Sequence, residues 1–211
     1  MKPKFCITIG RELGSGGREV GKKLSERLNI PFYDKKLIRL ASKESGISPE
    51  FFEKADEKPH RNFFSSLFGL NFSSMFMPNT TSSSVLDGAE LFKIQSDIVR
   101  EVAEQGGAVF VGRCADFILR DNPNVLSVFI TAPLEERCER VRTYGLIGGI
   151  ENFPNEQLVE LLEKEDSRRS EYYNYYTYKT WGAASSYNLC LDSKLLGIDG
   201  CVEIILGILG V

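Results

Sequence analysis

Glycines and arginines carry most of the chemistry legible in this chain. Gly10, Gly14, Gly16 and Gly17 crowd one short stretch, and Arg11 and Arg18 bracket the last three. The apolar run Phe5-Cys6-Ile7-Thr8-Ile9 precedes them, and Val20, Leu24 and Leu28 follow on one helical face. Strand, glycine loop and helix in that order make an anion site. Glycine lets the backbone turn tightly and approach a ligand. The helix N-terminus then offers unpaired N–H groups and a partial positive charge, which suit a phosphate. The competing reading is a plain glycine-rich turn between strand and helix, which binds nothing.

The loop departs from the phosphate-binding pattern G-x-x-x-x-G-K-[ST]. Laid on Gly16, that pattern puts Arg11 at the first glycine, Gly17 at the lysine and Arg18 at the Ser/Thr. The cradling backbone is kept, and Arg11 and Arg18 are the cationic substitutes. Ser15, or a carboxylate such as Glu12, is left to meet Mg²⁺.

Further candidates stand at the ends of other apolar runs. Ala108–Val111 reads as a strand buried on both faces, and it delivers Gly112-Arg113 to the sheet edge. An arginine there needs a phosphate or a carboxylate, and Asp116 is the internal alternative. Asp34 ends a short strand and either meets a substrate hydroxyl or caps the next helix. Arg168 and Arg169 follow Glu165 and Asp166 by one turn, where solvated ion pairs are the simplest account. The tyrosines at 172, 173, 175, 176 and 178 are too dense for one core stripe, so some must serve a surface or a site.

The bulk properties narrow the field. A chain of 211 residues fits one α/β domain, and a net charge of −3 excludes a general binder of nucleic-acid polymers. No leader pattern or membrane span is read, so a cytoplasmic protein is expected. The five cysteines are scattered without C-x-x-C spacing, which suggests free thiols and no structural metal. Cys6, Cys138 and Cys190 sit in apolar patterns and are expected inside. The single histidine, His60, has no catalytic partner in its polar stretch.

The elements that must position these residues alternate. Strands are expected near 5–9, 31–34, 108–111, 125–130 and 188–192. Helices are expected after the glycine loop, over 35–45, from Ser48-Pro49, up to about 104, from Pro133, over about 152–178 and over 199–209. Alternating strands and helices with buried strands give a parallel, doubly wound sheet. Residues 58–84 break this pattern with phenylalanines among serines. They are expected as a mobile flap whose aromatics anchor on the core, close over a base or form a dimer contact, and no membrane role is expected.

The residues also resemble a known family. Phe5–Leu28 aligns without gaps on the P-loop segment of bacterial cytidylate kinases, and VFVGRCADFIL (109–119) is similar to their Gly-Arg-Asp segment. FITAPLEERCERV (129–141), EDSRRS (165–170) and LCLDS (189–193) are similar to the segments that follow. The opening GRELGSGGRE and the closing YYNYYT…WG…YNL match the divergent cytidylate-kinase-like group. This resemblance implies a P-loop NTPase-type three-layer α/β fold with a five-stranded parallel sheet. It also implies a lid at about 145–180, a mobile monophosphate-binding region, and transfer from ATP with Mg²⁺ to a nucleoside monophosphate, CMP or dCMP first. By the same resemblance Gly14–Arg18 wrap the donor phosphates, and Arg113 and Arg140 neutralise phosphates. Arg168 and Arg169 reach the transferring group, Asp34 lies near the acceptor nucleoside, and Asp192 is structural. Two departures, Gly17 for the lysine and Cys114 for the Gly-Arg-Asp aspartate, keep two rivals open. One is a nucleotide- or anion-binding protein with little catalysis, and the other is a P-loop transferase with a different acceptor.

Overall fold

A computed structural model describes residues 5–34, 88–144 and 153–211. Five strands form one sheet in the order β2-β3-β1-β4-β5. They are β1 (Cys6–Arg11), β2 (Phe32–Tyr33), β3 (Ala108–Val111), β4 (Val125–Thr131) and β5 (Leu189–Asp192), and every pairing is parallel. Helices α1 (Gly17–Leu28), α2 (Gly88–Glu104), α3 (Ala115–Ile118), α4 (Leu134–Thr143), α5 (Asn155–Thr177) and α6 (Ser193–Leu209) connect or cover them.

The period-two alternation of the strands creates the layers. Ile7 and Ile9 of β1 join Val109, Val111, Val128 and Ile130 on one face, where Val20 and Leu24 of α1 and Val202 and Ile205 of α6 cover them. Cys6 and Phe110 point to the other face, against Ile98 and Val99 of α2 and Ile118 of α3. Burying an aliphatic side chain of this size contributes about 1.5–3 kcal/mol, so the central strands anchor the fold. Because the strands are parallel, their C-terminal ends all open on one edge, and the loops there hold the candidate residues.

The expected alternation and strand positions are present, with three differences. β1 runs on to Arg11. The last helix begins at Ser193 and not at 199, because the Asp192 side chain accepts hydrogen bonds from the Lys194 and Leu195 N–H groups and caps it. A break at Gly197 (φ 68°, ψ 167°) then splits the helix, and the sequence pattern is clean only after it. Cys190 is exposed, because β5 is an edge strand with one open face, whereas Cys6 and Cys138 are buried as expected. The helices expected over 35–45 and from Ser48, the stretch 58–84, His60 and the first part of the expected lid lie outside the described residues. No described helix is long and apolar enough to cross a membrane.

Candidate active site

The glycine loop turns where the sequence says it must. Gly14 and Gly16 have φ of 80° and 79°, which L side chains rarely adopt. Gly16 is also the N-cap of α1 and offers no side-chain cap, so the first N–H groups of that helix keep their capacity for an anion. The loop opens onto a cleft of about 720 Å³ at the C-terminal edge of the sheet.

The structure brings nearly every candidate to this cleft. Gly14, Gly16 and Gly17 line one side, with Arg11 and Arg18. Arg113 enters from the end of β3, Arg140 from α4, and Arg168 and Arg169 from α5. Ser15 is the exception. It is fully buried, and its Oγ donates to the Glu12 carbonyl at 2.9 Å. Glu12 does line the cleft, and its carboxylate accepts from Thr131 Oγ1 at 2.6 Å and from the Ala132 N–H at 3.2 Å, with Arg137 at 3.4 Å. Ser15 is therefore turned away from the position expected of a Mg²⁺ ligand. Among the described residues, no three of His, Cys, Asp and Glu cluster to hold a metal ion.

The arginines differ in what holds them. Arg18 donates from Nε to Asp34 at 2.7 Å and lies 5.8 Å from the centre of the Phe32 ring. Asp34 is buried and is also 3.9 Å from Arg11. Burial, and then the neighbouring charge of Arg169, push the Arg11 guanidinium down to about 9, against the pull of Asp34. Burial lowers Arg169 as well, opposed first by Asp166. Both stay cationic at neutral pH, but the site holds their charge at a cost that a bound anion removes. Arg140 donates to the Gly14 carbonyl at 3.0 Å and to Glu136 at 3.1 Å, so it braces the loop it faces.

Residues 112–114 all carry positive φ: Gly112 75°, Arg113 63° and Cys114 54°. For two non-glycine residues this costs about 1 kcal/mol or more each. The turn is pinned by Gln95, whose amide donates to the Arg113 carbonyl at 3.3 Å. Asp116 does not show an ion pair with Arg113; its carboxylate accepts from the Tyr173 hydroxyl at 2.7 Å. Burial raises the Asp116 pKa, and the Tyr173 bond opposes that shift. Cys114 is buried, and burial pushes its thiol well up, away from reactivity.

The sequence reading missed one residue that holds the walls of the site together. Asp166 was expected in a solvated ion pair. It is buried instead, and its carboxylate accepts from the Leu13 N–H at 2.8 Å, Arg137 Nη1 at 2.6 Å and Arg169 Nη1 at 3.1 Å. It ties α5 to the glycine loop and to α4. Arg168 pairs with Glu165 at 2.6 Å, as expected for its spacing. The tyrosines divide as their density requires. Tyr172 and Tyr173 are buried and line the cleft, whereas Tyr175 and Tyr178 are exposed. Trp181 and Tyr187 continue that wall, packed on Phe129 at 5.2 and 5.0 Å.

A parallel sheet of this order, with a glycine loop between β1 and α1 and arginines converging on the strand ends, defines an α/β P-loop kinase fold. A shikimate kinase from Bacteroides thetaiotaomicron shares it at a TM-score of 0.53, with 15% identity over 98% of this chain and 99% of that one. Residues 6–195 match the model of the cytidylate kinase-like family, and the chain belongs to that family. A crystal structure of an uncharacterized protein from Eubacterium ventriosum superposes with a TM-score of 0.69 at 26% identity, covering 96% of each chain. The bifunctional pantoate ligase/cytidylate kinase of Prochlorococcus marinus is 26% identical over 186 residues, which is 79% of this chain and 36% of that relative. The chain thus spans about a third of that relative's length.

Proposed function

We propose that this protein transfers a phosphoryl group from ATP to a nucleoside monophosphate, with CMP or dCMP as the first acceptors to test. The observation that carries the reading is the convergence of Arg11, Arg18, Arg113, Arg140, Arg168 and Arg169 on one cleft beside an uncapped helix N-terminus. Family membership supports it, and so does the cytidylate kinase named in the Prochlorococcus relative.

Phosphoryl transfer asks mostly for positioning and for stabilisation of spread negative charge. The N–H groups of Gly14–Arg18 and the side chains of Arg11 and Arg18 hold the donor phosphates. Arg113 holds the acceptor's phosphate, and Asp34 fixes Arg18 and lies near the acceptor nucleoside. Arg168 and Arg169 reach the transferring group from α5, and Arg140 adds positive charge behind the loop. An acceptor phosphate oxygen attacks the γ-phosphorus. The bond from that phosphorus to the β–γ bridging oxygen breaks, and ADP leaves. The attacking oxygen is already ionised at neutral pH, so no catalytic base is needed. Mg²⁺ bound with the nucleotide would supply further positive charge for the phosphate oxygens; no residue of this chain is assigned to hold it.

The test is ADP release from ATP and Mg²⁺ across CMP, dCMP, UMP, AMP and hydroxylated small acceptors. Turnover on the order of 1–100 per second with a monophosphate is expected. Turnover with a hydroxyl acceptor alone would replace the acceptor class. Gly17 favours a second reading, nucleotide binding without useful catalysis, and silence across the panel with ADP still bound would establish it.

A further inference from the structure

Position 17 lacks the lysine of the standard loop, and position 11 carries an arginine in place of its first glycine. In the sequence these look like two separate losses. In the structure they are one. A Cβ at position 17 would lie 2.6 Å from Arg11 Cβ and 3.2 Å from Arg11 Cγ, with Ile130 Cβ also at 3.2 Å. The atom that blocks it is the root of the arginine, which cannot swing aside, whereas Ile130 has only to give by a few tenths of an ångström. A lysine at 17 is thus excluded while Arg11 is present, and Arg11 is accommodated because 17 is glycine.

A third position belongs to the same arrangement. A Cβ on Gly112 would fall 2.1 Å from Arg11 Nη1. The guanidinium therefore lies against the bare backbone that ends β3. It is in the cleft, with Arg113 and Arg169 close enough to lower its pKa and Asp34 at a long 3.9 Å. A guanidinium so placed presents several donors to one anion.

We propose that Arg11 and Gly17 are an exchanged pair: the cation for the donor's terminal phosphates has moved from the helix side of the loop to the strand side. Arg11 does the work of the absent lysine, and Gly17 is a glycine that makes room for it; Gly112, a glycine at φ 75°, lets the guanidinium lie against its bare backbone. The inference rests on the phosphoryl-donor reading of the cleft.

The experiment measures ADP affinity by calorimetry, with inorganic triphosphate as a second probe, and checks each variant's fold by thermal melting. R11A is expected to lose about tenfold or more in affinity for both, and R11K to keep most of it, as charge-assisted contacts require. G17A should weaken binding when Arg11 is present and have no effect in an R11G background. R11G/G17K should recover most of what R11G loses. Wild-type affinity in R11A, or a double variant no better than R11G, overturns the exchange. Should the double variant not fold, R11K decides: affinity near wild type supports the proposal, and affinity equal to that of R11A overturns it. Binding of ADP without turnover on any acceptor defeats the kinase reading alone, because the exchange is still read from the affinities. Failure of the wild type to bind either probe defeats the exchange as well.

Discussion

On the glycine-loop side of the cleft, charge fixes the geometry. Asp166 takes hydrogen bonds from Leu13, Arg137 and Arg169, and Glu12 takes them from Thr131 and Ala132. Across the cleft, rings do this work. Phe129 meets Trp181 edge-on, Tyr173 stacks on Tyr187 at 5.9 Å, and Tyr176 stacks on Phe92 at 4.2 Å. The charged side depends on direction: each buried carboxylate oxygen has named donors, and removing one group strands another. The aromatic side depends mainly on area, where a lost contact is a partial loss. Both sides share α5, which contributes Asp166 to the first and Tyr172 and Tyr173 to the second. The spacing of the two walls is therefore set along a single helix, with Arg168 and Arg169 between them.

Removing Asp166 breaks the charged wall at its centre. Among the described residues, D166A leaves the buried Arg137 guanidinium with the 3.4 Å contact to Glu12 as its one remaining ion pair. Loss of one partner from a buried pair costs about 3–5 kcal/mol. Urea denaturation is expected to show a loss in that range, the largest among these substitutions. Replacing both partners in D166L/R137M should restore much of the stability and none of the hold on the glycine loop, so ADP affinity should stay low. A loss under 1 kcal/mol in D166A would mean that the wall is held by area after all.

The aromatic wall also has directional contacts, and Y173F tests how much the one to Asp116 matters. Tyr173 is buried and its hydroxyl donates to Asp116. Removing that donor leaves a half-buried carboxylate short of a partner, at about 1–2 kcal/mol at neutral pH. The loss should depend on pH. Burial has raised the Asp116 pKa above its ordinary 3.8, and the Tyr173 bond favours the ionised form. Wild-type stability from this group is greatest at low pH and declines as pH rises from the unfolded value through the folded one. Y173F raises the folded pKa further, so its deficit grows with rising pH and shrinks once Asp116 is protonated. Melting curves of both proteins from acid to neutral pH would show this, and a deficit independent of pH would assign the loss to packing.

The two walls were not equally legible in the sequence. The strands announce themselves through apolar runs such as Ala108–Val111, and the glycine loop through its composition. The cleft could be assembled on paper, because parallel strands deliver their following residues to one edge. The tyrosines also declared themselves by density. The role of Asp166 could not be read, because Leu13 is 153 positions away and an aspartate one turn before an arginine looks like an ordinary surface pair. The fit of Arg11 against Gly17 and Gly112 is likewise a property of three-dimensional space. A motif alignment reports what each position lacks, not which side chain has filled the gap. The start of α6 was missed for a local reason: Gly197 interrupts the apolar period that marks the rest of the helix.

The smallest expected effect lies where α5 leaves the aromatic wall. Tyr178 caps that helix in the left-handed region, at φ 55°, and its residue exposure is 94%. A tyrosine is strained in that conformation, and glycine is not. With so little of the ring buried, Y178G gives up almost no packing. Thermal or urea unfolding is therefore expected to show a gain of about 0.5–1 kcal/mol, reduced somewhat by the greater freedom of glycine in the unfolded chain. A loss would mean that another surface covers the ring in solution. A second copy of this chain is the first candidate, and sedimentation at several protein concentrations would show whether Y178G weakens such a dimer. The aromatic side would then extend past the cleft to an interface, whereas a simple gain in stability would end it at the helix terminus.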